Sequence, residues 1–133
     1  MVQLIIKLIL VKIYILMRTN NCFFTKHSLN GDYIYASDSV LTITGYEPHE
    51  LIGKSAYEFF HPFDIRNIVT SHLTIKTTID VVFYRFRNSK GEFIWVKTYS
   101  QQIDNEIITF TKKVSFIERI LYSLFKIDLK IKT

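Results

Sequence analysis

Four histidines and one cysteine are candidate ligands for a metal ion or a haem iron in this sequence, at His27, His49, His61, His72 and Cys22. A protein metal site needs three or four ligands, and sequences that build one usually carry them in closely spaced pairs. The histidines here are scattered along the chain. The sequence therefore predicts no metal site.

Residue patterns typical of catalysis are also missing. The four glycines are isolated turn residues, so no glycine-rich loop could cradle a phosphate. Glu47 and Glu50 lie close together, but a solvated helix face explains this pair better than acid–base chemistry does. We therefore expect that the chain is not an enzyme.

The composition is that of one folded domain. The chain has 133 residues, of which 48% are hydrophobic and 15% aromatic, enough to fill a sizeable core. Disordered chains are poor in aromatic residues, so disorder throughout is excluded. Cys22 has no second cysteine to pair with, so a disulfide scaffold is excluded as well.

The net charge of +5 is concentrated on two flanks. Residues 1–21 have three Lys or Arg and no acid, residues 22–111 have eight against ten, and residues 112–133 have six against two. The three regions thus carry charges of +3, −2 and +4. Because nucleic-acid-binding domains present clustered basic residues, we expect no nucleic acid contact by the middle region.

The basic amino-terminal flank is strongly apolar over residues 2–17, where only Gln3, Lys7 and Lys12 interrupt it. A membrane-spanning helix needs about 20 mostly apolar residues, and a lysine near its centre is costly. No small-residue cleavage site of a secretory signal follows. These features favour a hydrophobic helix or strand that packs on the next domain or on a second copy, with membrane contact as the alternative.

The first predicted secondary structure after the amino-terminal flank is a β-hairpin. Residues 23–29 and 33–36 flank an Asn30-Gly31 turn, which is the strongest hairpin signal in the chain. Short helical turns are predicted over residues 40–44, 47–52 and 57–60. Asp64 is then expected to cap a longer helix that runs to residue 73.

The apolar period changes from helical to alternating after residue 77, which predicts strands over residues 80–87, 92–101 and 107–111. Two strands, several short helices and three more strands indicate an α+β domain. We predict a five-stranded antiparallel sheet with short helices packed on one face, plus flanking N- and C-terminal hydrophobic segments.

Three motifs in this region, in this order, resemble those of the PAS domain family. The first is NGDYIYASDSVLTITGYEPHELIG over residues 30–53. The second, FHPFD over residues 60–64, is similar to the family's His-Pro-Asp-Asp helix start, with Phe63 in place of the first Asp. The third is YRFRNSKGEFIWV over residues 84–96. The resemblance covers residues 22–111 and leaves residues 1–21 and 112–133 as flanks.

The resemblance implies a non-catalytic sensory or protein-interaction module in signal transduction or transcription regulation, acting by homo- or heterodimerisation. The motifs are similar to those of PAS domains in eukaryotic transcription regulators such as fungal white-collar-type proteins. The implied partner is another PAS-containing protein or a second copy of the chain. The implied location is the nucleus or cytoplasm, with membrane association as the alternative.

The same resemblance allows cofactors to be considered. We expect that the chain binds none. Flavin-binding light sensors of the family carry a cysteine motif in the helix after the position of Gly53, where this chain has no cysteine. Flavin-cysteinyl photochemistry is therefore not expected, and Cys22 is expected to be a buried or half-buried thiol. Haem-binding members place their ligand on the long helix, so His72 is the candidate for the alternative of a haem or small-molecule sensor.

Successive side chains of a strand point to opposite faces of a sheet, so the predicted strands over residues 80–87 and 92–101 each contribute to two faces. The candidates for a pocket beneath the helices are Val82, Tyr84, Phe86, Ile94 and Val96. The alternative is that these side chains simply fill the core. The opposite face would carry four large aromatic residues that need covering, Phe83, Phe93, Trp95 and Tyr99. The resemblance implies that this face dimerises.

The carboxy-terminal flank predicts an amphipathic helix over residues 115–129. Ile117, Leu121 and Leu124 lie on its apolar stripe and join the four aromatic residues as interface candidates. This helix could connect the domain to an effector or a second chain. It could instead fold back over Trp95 and Phe93, and both roles are compatible.

Overall fold

Five antiparallel strands form a single sheet in the computed structural model, which describes residues 2–5, 7–8, 22–74 and 79–125. The strands are β1 (Cys22–Ser28), β2 (Tyr33–Ala36), β3 (Asp80–Arg87), β4 (Phe93–Ile103) and β5 (Glu106–Lys113). Their order across the sheet is β2-β1-β5-β4-β3, so the first and last of these five strands pair at the centre. The predicted α+β class and five-stranded antiparallel sheet are confirmed.

Short helices connect β2 to β3. They are α1 (Val40–Thr44), α2 (Pro48–Leu51), two 3₁₀ turns at Ala56–Phe59 and Pro62–Asp64, and α3 (Ile65–Thr74). A last helix, α4 (Phe116–Phe125), follows β5. In α2, Glu50 Oε2 accepts a hydrogen bond from the Glu47 amide at 2.7 Å, so this acidic pair closes a capping box.

The amino-terminal flank is helical at residues 2–5 and 7–8. Most of the predicted hydrophobic segment, from residue 9 to residue 17, lies outside the described residues. Among the helices that the structure does describe, none combines the length and apolar character needed to cross a membrane.

The Thr44-Gly45-Tyr46 sequence fixes α1 to the turn between β3 and β4. The Ser89 amide donates to the Thr44 carbonyl at 2.9 Å, and Tyr46 Oη donates to the Asn88 carbonyl at 3.0 Å. Gly45 adopts φ +79°, and a Cβ there would collide with Ser89 Oγ. This position therefore needs glycine for both its backbone conformation and its close contact.

Asp64 does not cap the helix that follows it, contrary to the expectation from sequence. It ends the second 3₁₀ turn, and its carboxylate accepts hydrogen bonds from the backbone and guanidinium of Arg85 on β3. His61 Nδ1 accepts from the Phe63 amide at 3.1 Å and so caps that turn. A strong cationic partner at Arg85 outcompetes the backbone amides for the Asp64 carboxylate.

The helices between β2 and β3 pack on one face of the sheet and enclose an aromatic core. Phe59 and Phe86 stack with ring centroids 5.5 Å apart, and Tyr46 meets both rings edge-on. Around them lie further buried side chains of β1, α1, α2 and β4, among them Phe23, Val40, Leu51 and Val96. This face is hereafter the inner face, and the opposite one is the outer face.

Candidate functional site

A cavity of about 90 Å³ lies on the inner face, between the sheet, the first 3₁₀ turn and α3. Its apolar wall comes mainly from Phe23, Tyr33, Phe60, Ile68, Val82 and Ile107. A water molecule occupies roughly 30 Å³ of liquid, so this space suits a few waters or one small molecule.

Part of the sheet side of the cavity is polar, because five hydroxyl side chains of β1, β4 and β5 line it: Thr25, Thr98, Ser100, Thr109 and Thr111. We call these residues the hydroxyl cluster. Cross-strand pairing places Thr98 opposite Thr111 and Ser100 opposite Thr109. Hydroxyls both donate and accept hydrogen bonds, so the cluster can pair with either a donor or an acceptor of a bound molecule.

Hydrogen bonds link the hydroxyl cluster to Tyr84. Thr98 Oγ1 donates to Tyr84 Oη at 2.9 Å and lies 3.0 Å from Thr111 Oγ1. Burial raises the pKa of the Tyr84 phenol, and the hydrogen bonds with Thr98 and Thr111 offset this only in part. Tyr84 therefore stays neutral at physiological pH and can itself donate into the cavity.

His27 forms the far corner of the cavity. Its Nε2 lies 2.8 Å from Thr25 Oγ1, its Nδ1 lies 3.4 Å from the Gly31 carbonyl, and its ring centroid is 4.5 Å from that of Tyr33. Since the carbonyl only accepts, the Nδ1 must donate there. His27 is thus held in place by hydrogen bonds and ring packing within the cavity wall.

Two of the five pocket candidates, Val82 and Tyr84, line the cavity. Phe86 and Val96 belong to the solid core, and Ile94 packs against it. The cavity instead extends toward β1 and β5, which sequence reasoning missed. The available signal was the alternation of Thr109 and Thr111 in a strand, with Thr25 at a similar position in the first strand.

The haem prediction depends on His72, which lies in α3 with a side chain outside the part that the structure describes. Ile68, one helical turn earlier, lines the cavity. A haem macrocycle is far larger than a space of about 90 Å³, so the described wall does not fit one. Within the described residues, no group of three or more His, Cys, Asp or Glu could hold a metal ion.

Cys22 is buried, as expected from sequence, with 2% of its surface exposed. Burial raises the pKa of its thiol to about 11, although a backbone hydrogen bond and Lys112 act in the opposite direction. A thiol of this kind is protonated at neutral pH and is a poor nucleophile.

The outer face carries the four aromatic interface candidates, as strand alternation predicts. Phe93 is 44% exposed, and Phe83, Trp95 and Tyr99 are partly exposed. We call these four residues the aromatic face. They alternate along β3 and β4 with basic side chains, since Arg85 pairs with Trp95 and Phe83 pairs with Lys97 across the strands.

Cations stack on the rings of the aromatic face. The guanidinium carbons of Arg85 and Arg119 each lie 5.1 Å from the Trp95 ring centroid. Lys97 Nζ lies 5.6 Å from the Phe83 ring and 5.2 Å from the Tyr99 ring. Such contacts shield part of each ring while leaving the charged group at the surface.

The Asp64–Arg85 ion pair fixes the position of one of the cations that pack on Trp95. Arg85 Nε donates to Asp64 Oδ2 at 3.0 Å, and Nη2 donates to Oδ1 at 2.8 Å, which gives a bidentate pair. Burial on its own would raise the pKa of the Asp64 carboxyl, but the hydrogen bonds and charge of Arg85 outweigh it and lower that pKa. Asp64 therefore positions the guanidinium that packs on Trp95.

Helix α4 begins against the same face. Lys112 Nζ lies 2.9 Å from Glu118 Oε1, and Ser115 Oγ accepts from the Glu118 amide at 3.1 Å. Ile117 and Leu124 are 68% and 70% exposed, while the Leu121 side chain lies outside the described part. Helix α4 thus contacts Trp95 through Arg119 but leaves apolar side chains accessible.

A five-stranded antiparallel sheet of this strand order, with short helices packed on one face, is the architecture of the PAS fold. The family model described as "PAS fold" matches residues 33–112. The chain belongs to the PAS family, and the resemblance seen in the sequence is confirmed.

Its curated relatives are transcription regulators. The chain is 34% identical over 98 residues to the aryl hydrocarbon receptor nuclear translocator homolog of Drosophila melanogaster, which covers 71% of this chain and 15% of that protein. It is 32% identical over 85 residues to hypoxia-inducible factor 1-alpha of Mus musculus, covering 62% of this chain and 10% of that protein. The chain therefore spans only a small part of the relatives it matches.

Solved structures give the same result. The PAS-B domain of Drosophila melanogaster Cycle with bound ethylene glycol matches with a TM-score of 0.59 and 26% identity, covering 71% of this chain and 99% of that one. A tryptophan-to-alanine variant of that domain with bound glycerol matches equally well. The chain is homologous to PAS domains of transcription regulators.

Proposed function

We propose that this chain is a non-catalytic interaction module of a transcription or signalling regulator, which dimerises through its outer face with another PAS protein or a second copy. The observation that carries the proposal is the aromatic face, whose rings remain partly accessible beside the exposed apolar residues of α4. Accessible aromatic and apolar side chains grouped on one surface are typical of protein interaction sites. The homology to PAS domains of transcription regulators supports the same role.

The test is self-association or capture of a PAS partner by the purified chain, followed by analytical ultracentrifugation. Trp95→Glu places a charge at the centre of the aromatic face and is expected to weaken association at least tenfold. Ile34→Glu is the control, because it places the same charge on an accessible apolar residue, 46% exposed, on the edge strand β2. Equal effects of the two variants, or no association at all, would count against the proposal.

A second candidate function is the binding of a small molecule in the cavity. The specific observation is the hydroxyl cluster beside an apolar wall, in a space of about 90 Å³. The Cycle PAS-B structures carry ethylene glycol and glycerol, and both molecules are small enough for such a space. We propose that the chain can bind a similarly small, hydroxyl-bearing molecule there.

Chemical-shift titration with glycerol tests this second candidate. Shifts are expected at Thr98, Thr109 and Thr111, and Ser100→Leu should abolish them by filling the space. Thr70→Leu, on the exposed surface of α3, is the control that should leave binding unchanged. Shifts that are spread over the surface instead, or survive Ser100→Leu, would exclude a cavity ligand.

We further propose a nuclear or cytoplasmic location, in keeping with relatives that are transcription regulators. Membrane association through residues 2–17 is the alternative. Fractionation of cells that express the chain separates the two, since an inserted segment resists extraction by high salt and alkali.

A further inference from the structure

Lys97 on β4 has surroundings that are unusual for a lysine. Its Nζ lies 5.6 Å from the centroid of the Phe83 ring and 5.2 Å from that of the Tyr99 ring, and the residue is half-buried. The rings attract the ammonium, but they also exclude part of the water that would solvate it. Loss of water penalises the charged form of an amine, so this position favours the neutral form more than a fully solvated one does.

A second cation lies directly opposite Lys97. Lys97 pairs with Lys112 in the β4–β5 ladder, and like charges in this position repel. Glu118 of α4 has its Oε1 2.9 Å from Lys112 Nζ, so its carboxylate is paired with that ammonium. Burial and the charge of Lys112 lower the pKa of Lys97, and Glu118 opposes them only in part.

Charged groups on the neighbouring elements do not supply a carboxylate to Lys97. Arg85 of β3 is paired with Asp64, and Arg119 of α4 lies over the Trp95 ring. Among the residues that the structure describes, no carboxylate lies within 4 Å of the Lys97 ammonium. The amine is therefore held among rings and cations without an ion pair to keep it protonated.

This environment is the one that makes a lysine reactive. Only a neutral amine is a nucleophile, and nucleophilic lysines are desolvated by apolar groups or placed beside another cation. Lys97 meets both conditions and keeps accessible surface through which a reagent can reach it. The Lys112 ammonium could also stabilise the negative charge that develops on a carbonyl oxygen under attack.

We propose that Lys97 is a modification site, whose ε-amine accepts an acyl group from small acyl thioesters. The neutral nitrogen attacks the thioester carbonyl, so a C–N bond forms and the C–S bond breaks. The departing thiolate takes up the proton that the nitrogen releases, and the products are an amide and a thiol. Acylation removes the positive charge that faces Lys112. This inference is independent of the proposed function, because it concerns the reactivity of the free chain.

The test is acetylation of the purified chain by S-acetyl-N-acetylcysteamine, a small acyl thioester, followed by peptide mass spectrometry. The reference is Lys54, an exposed lysine outside the strands. At neutral pH, Lys97 should be acetylated faster than Lys54 by about threefold or more. In urea, where the fold is lost, the two lysines should react at similar rates. Dilute protein is used, so that association cannot cover the outer face.

The pH dependence of the Lys97 rate distinguishes a lowered pKa from accessibility alone. The rate rises with pH as the amine loses its proton, and it levels off once the amine is neutral. Because the fold lowers the pKa of Lys97, the rate in the folded chain should level off at a lower pH than the rate in urea. Accessibility alone would scale the rate without moving this profile.

Two variants on β5 test the contribution of the opposite cation. Lys112→Gln is expected to slow acetylation of Lys97 by about twofold or more, because it removes the charge that favours the neutral amine. Lys113→Gln is the matched control, since it removes the same charge from an exposed residue that pairs with Val96 instead. Circular dichroism establishes that both variants are folded.

Three results would overturn the inference. The first is that Lys97 reacts no faster than Lys54 in the folded chain. The second is a Lys97 pH profile that is the same in the folded chain and in urea. The third is an equal effect of Lys112→Gln and Lys113→Gln. The first two measurements use the native chain, so they decide the question even if a variant does not fold.

Discussion

The two faces of the sheet are made from the same strands but are packed in very different ways. On the inner face, Phe86 and Val96 are almost wholly buried, with 1% and 0% of their surfaces exposed. On the outer face, Trp95 and Phe83 retain accessible surface and alternate with cations. Because neighbouring residues of one strand point to opposite faces, buried core residues and the residues of the proposed interface occupy alternate positions along β3 and β4. Substitutions at adjacent strand positions should therefore separate effects on stability from effects on association.

The largest expected effect is on the inner face. Phe86→Ala removes a ring that stacks on Phe59 and should lower the free energy of unfolding by about 3 to 5 kcal/mol. Trp95→Ala, on the neighbouring strand but on the outer face, is the comparison. It should lower the free energy of unfolding by only about 1 kcal/mol. Urea unfolding of both variants measures the difference, and similar losses would mean that the outer face also holds the fold together.

A smaller effect is expected where the two faces are joined by the Asp64–Arg85 pair. Asp64→Asn keeps the size of the side chain but replaces the carboxylate that accepts three hydrogen bonds from Arg85 with a neutral amide. It should lower the free energy of unfolding by about 1.5 to 3 kcal/mol. Glu92→Gln, at an exposed position, should change it by less than about 0.5 kcal/mol. If the two variants unfold alike, the pair contributes nothing to stability.

The same pair predicts a dependence on pH. The pKa of Asp64 is lower in the folded chain than in the unfolded one, so its stabilising contribution is present above the unfolded value of roughly 3.9 and is lost as the pH falls through the folded value. Native protein should therefore lose stability on acidification more steeply than Asp64→Asn. Thermal unfolding from pH 6 down to pH 2 measures this, and parallel curves would contradict it.

The smallest effect is expected at the cavity, where the inner face is polar. Thr98→Val replaces the hydroxyl that joins Tyr84 to Thr111 by a methyl group of similar volume, and should cost about 1 to 2 kcal/mol because both partners lose a hydrogen bond. Thr70→Val on the exposed helix surface is the control. An unchanged stability of Thr98→Val would indicate that water replaces the lost hydroxyl.

Local patterns in the sequence were sufficient to predict most of the helices and strands and to assign residues of β3 and β4 to the two faces of the sheet. The predicted strand over residues 80–87 matches β3, and alternation correctly assigned Trp95 and Phe83 to the outer face. These predictions succeed because a period of two depends only on neighbouring residues. The bounds of β4 and β5 were predicted too short, since their ends are extended by pairing with each other as far as Ile103 and Glu106.

The features that were missed depend on contacts between distant residues. Asp64 and Arg85 are 21 positions apart, and only the folded 3₁₀ turn places their side chains together. The cavity depends on the strand order, because Thr25 comes to lie beside Thr109 only when β1 pairs with β5. No local pattern contains that pairing, so the alternation of Thr109 and Thr111 could not by itself place Thr25 beside them.

The pairing of β1 with β5 at the centre of the sheet also determines how the domain bears mechanical load. The chain enters the sheet at Cys22 and leaves it near Lys112, and these residues are paired directly opposite each other. A force pulling the two flanks apart would act on the hydrogen bonds of the ladder one after another, from that end, rather than on all of them together. The domain should therefore open like a zipper at low force, starting from the strands to which both flanks are attached.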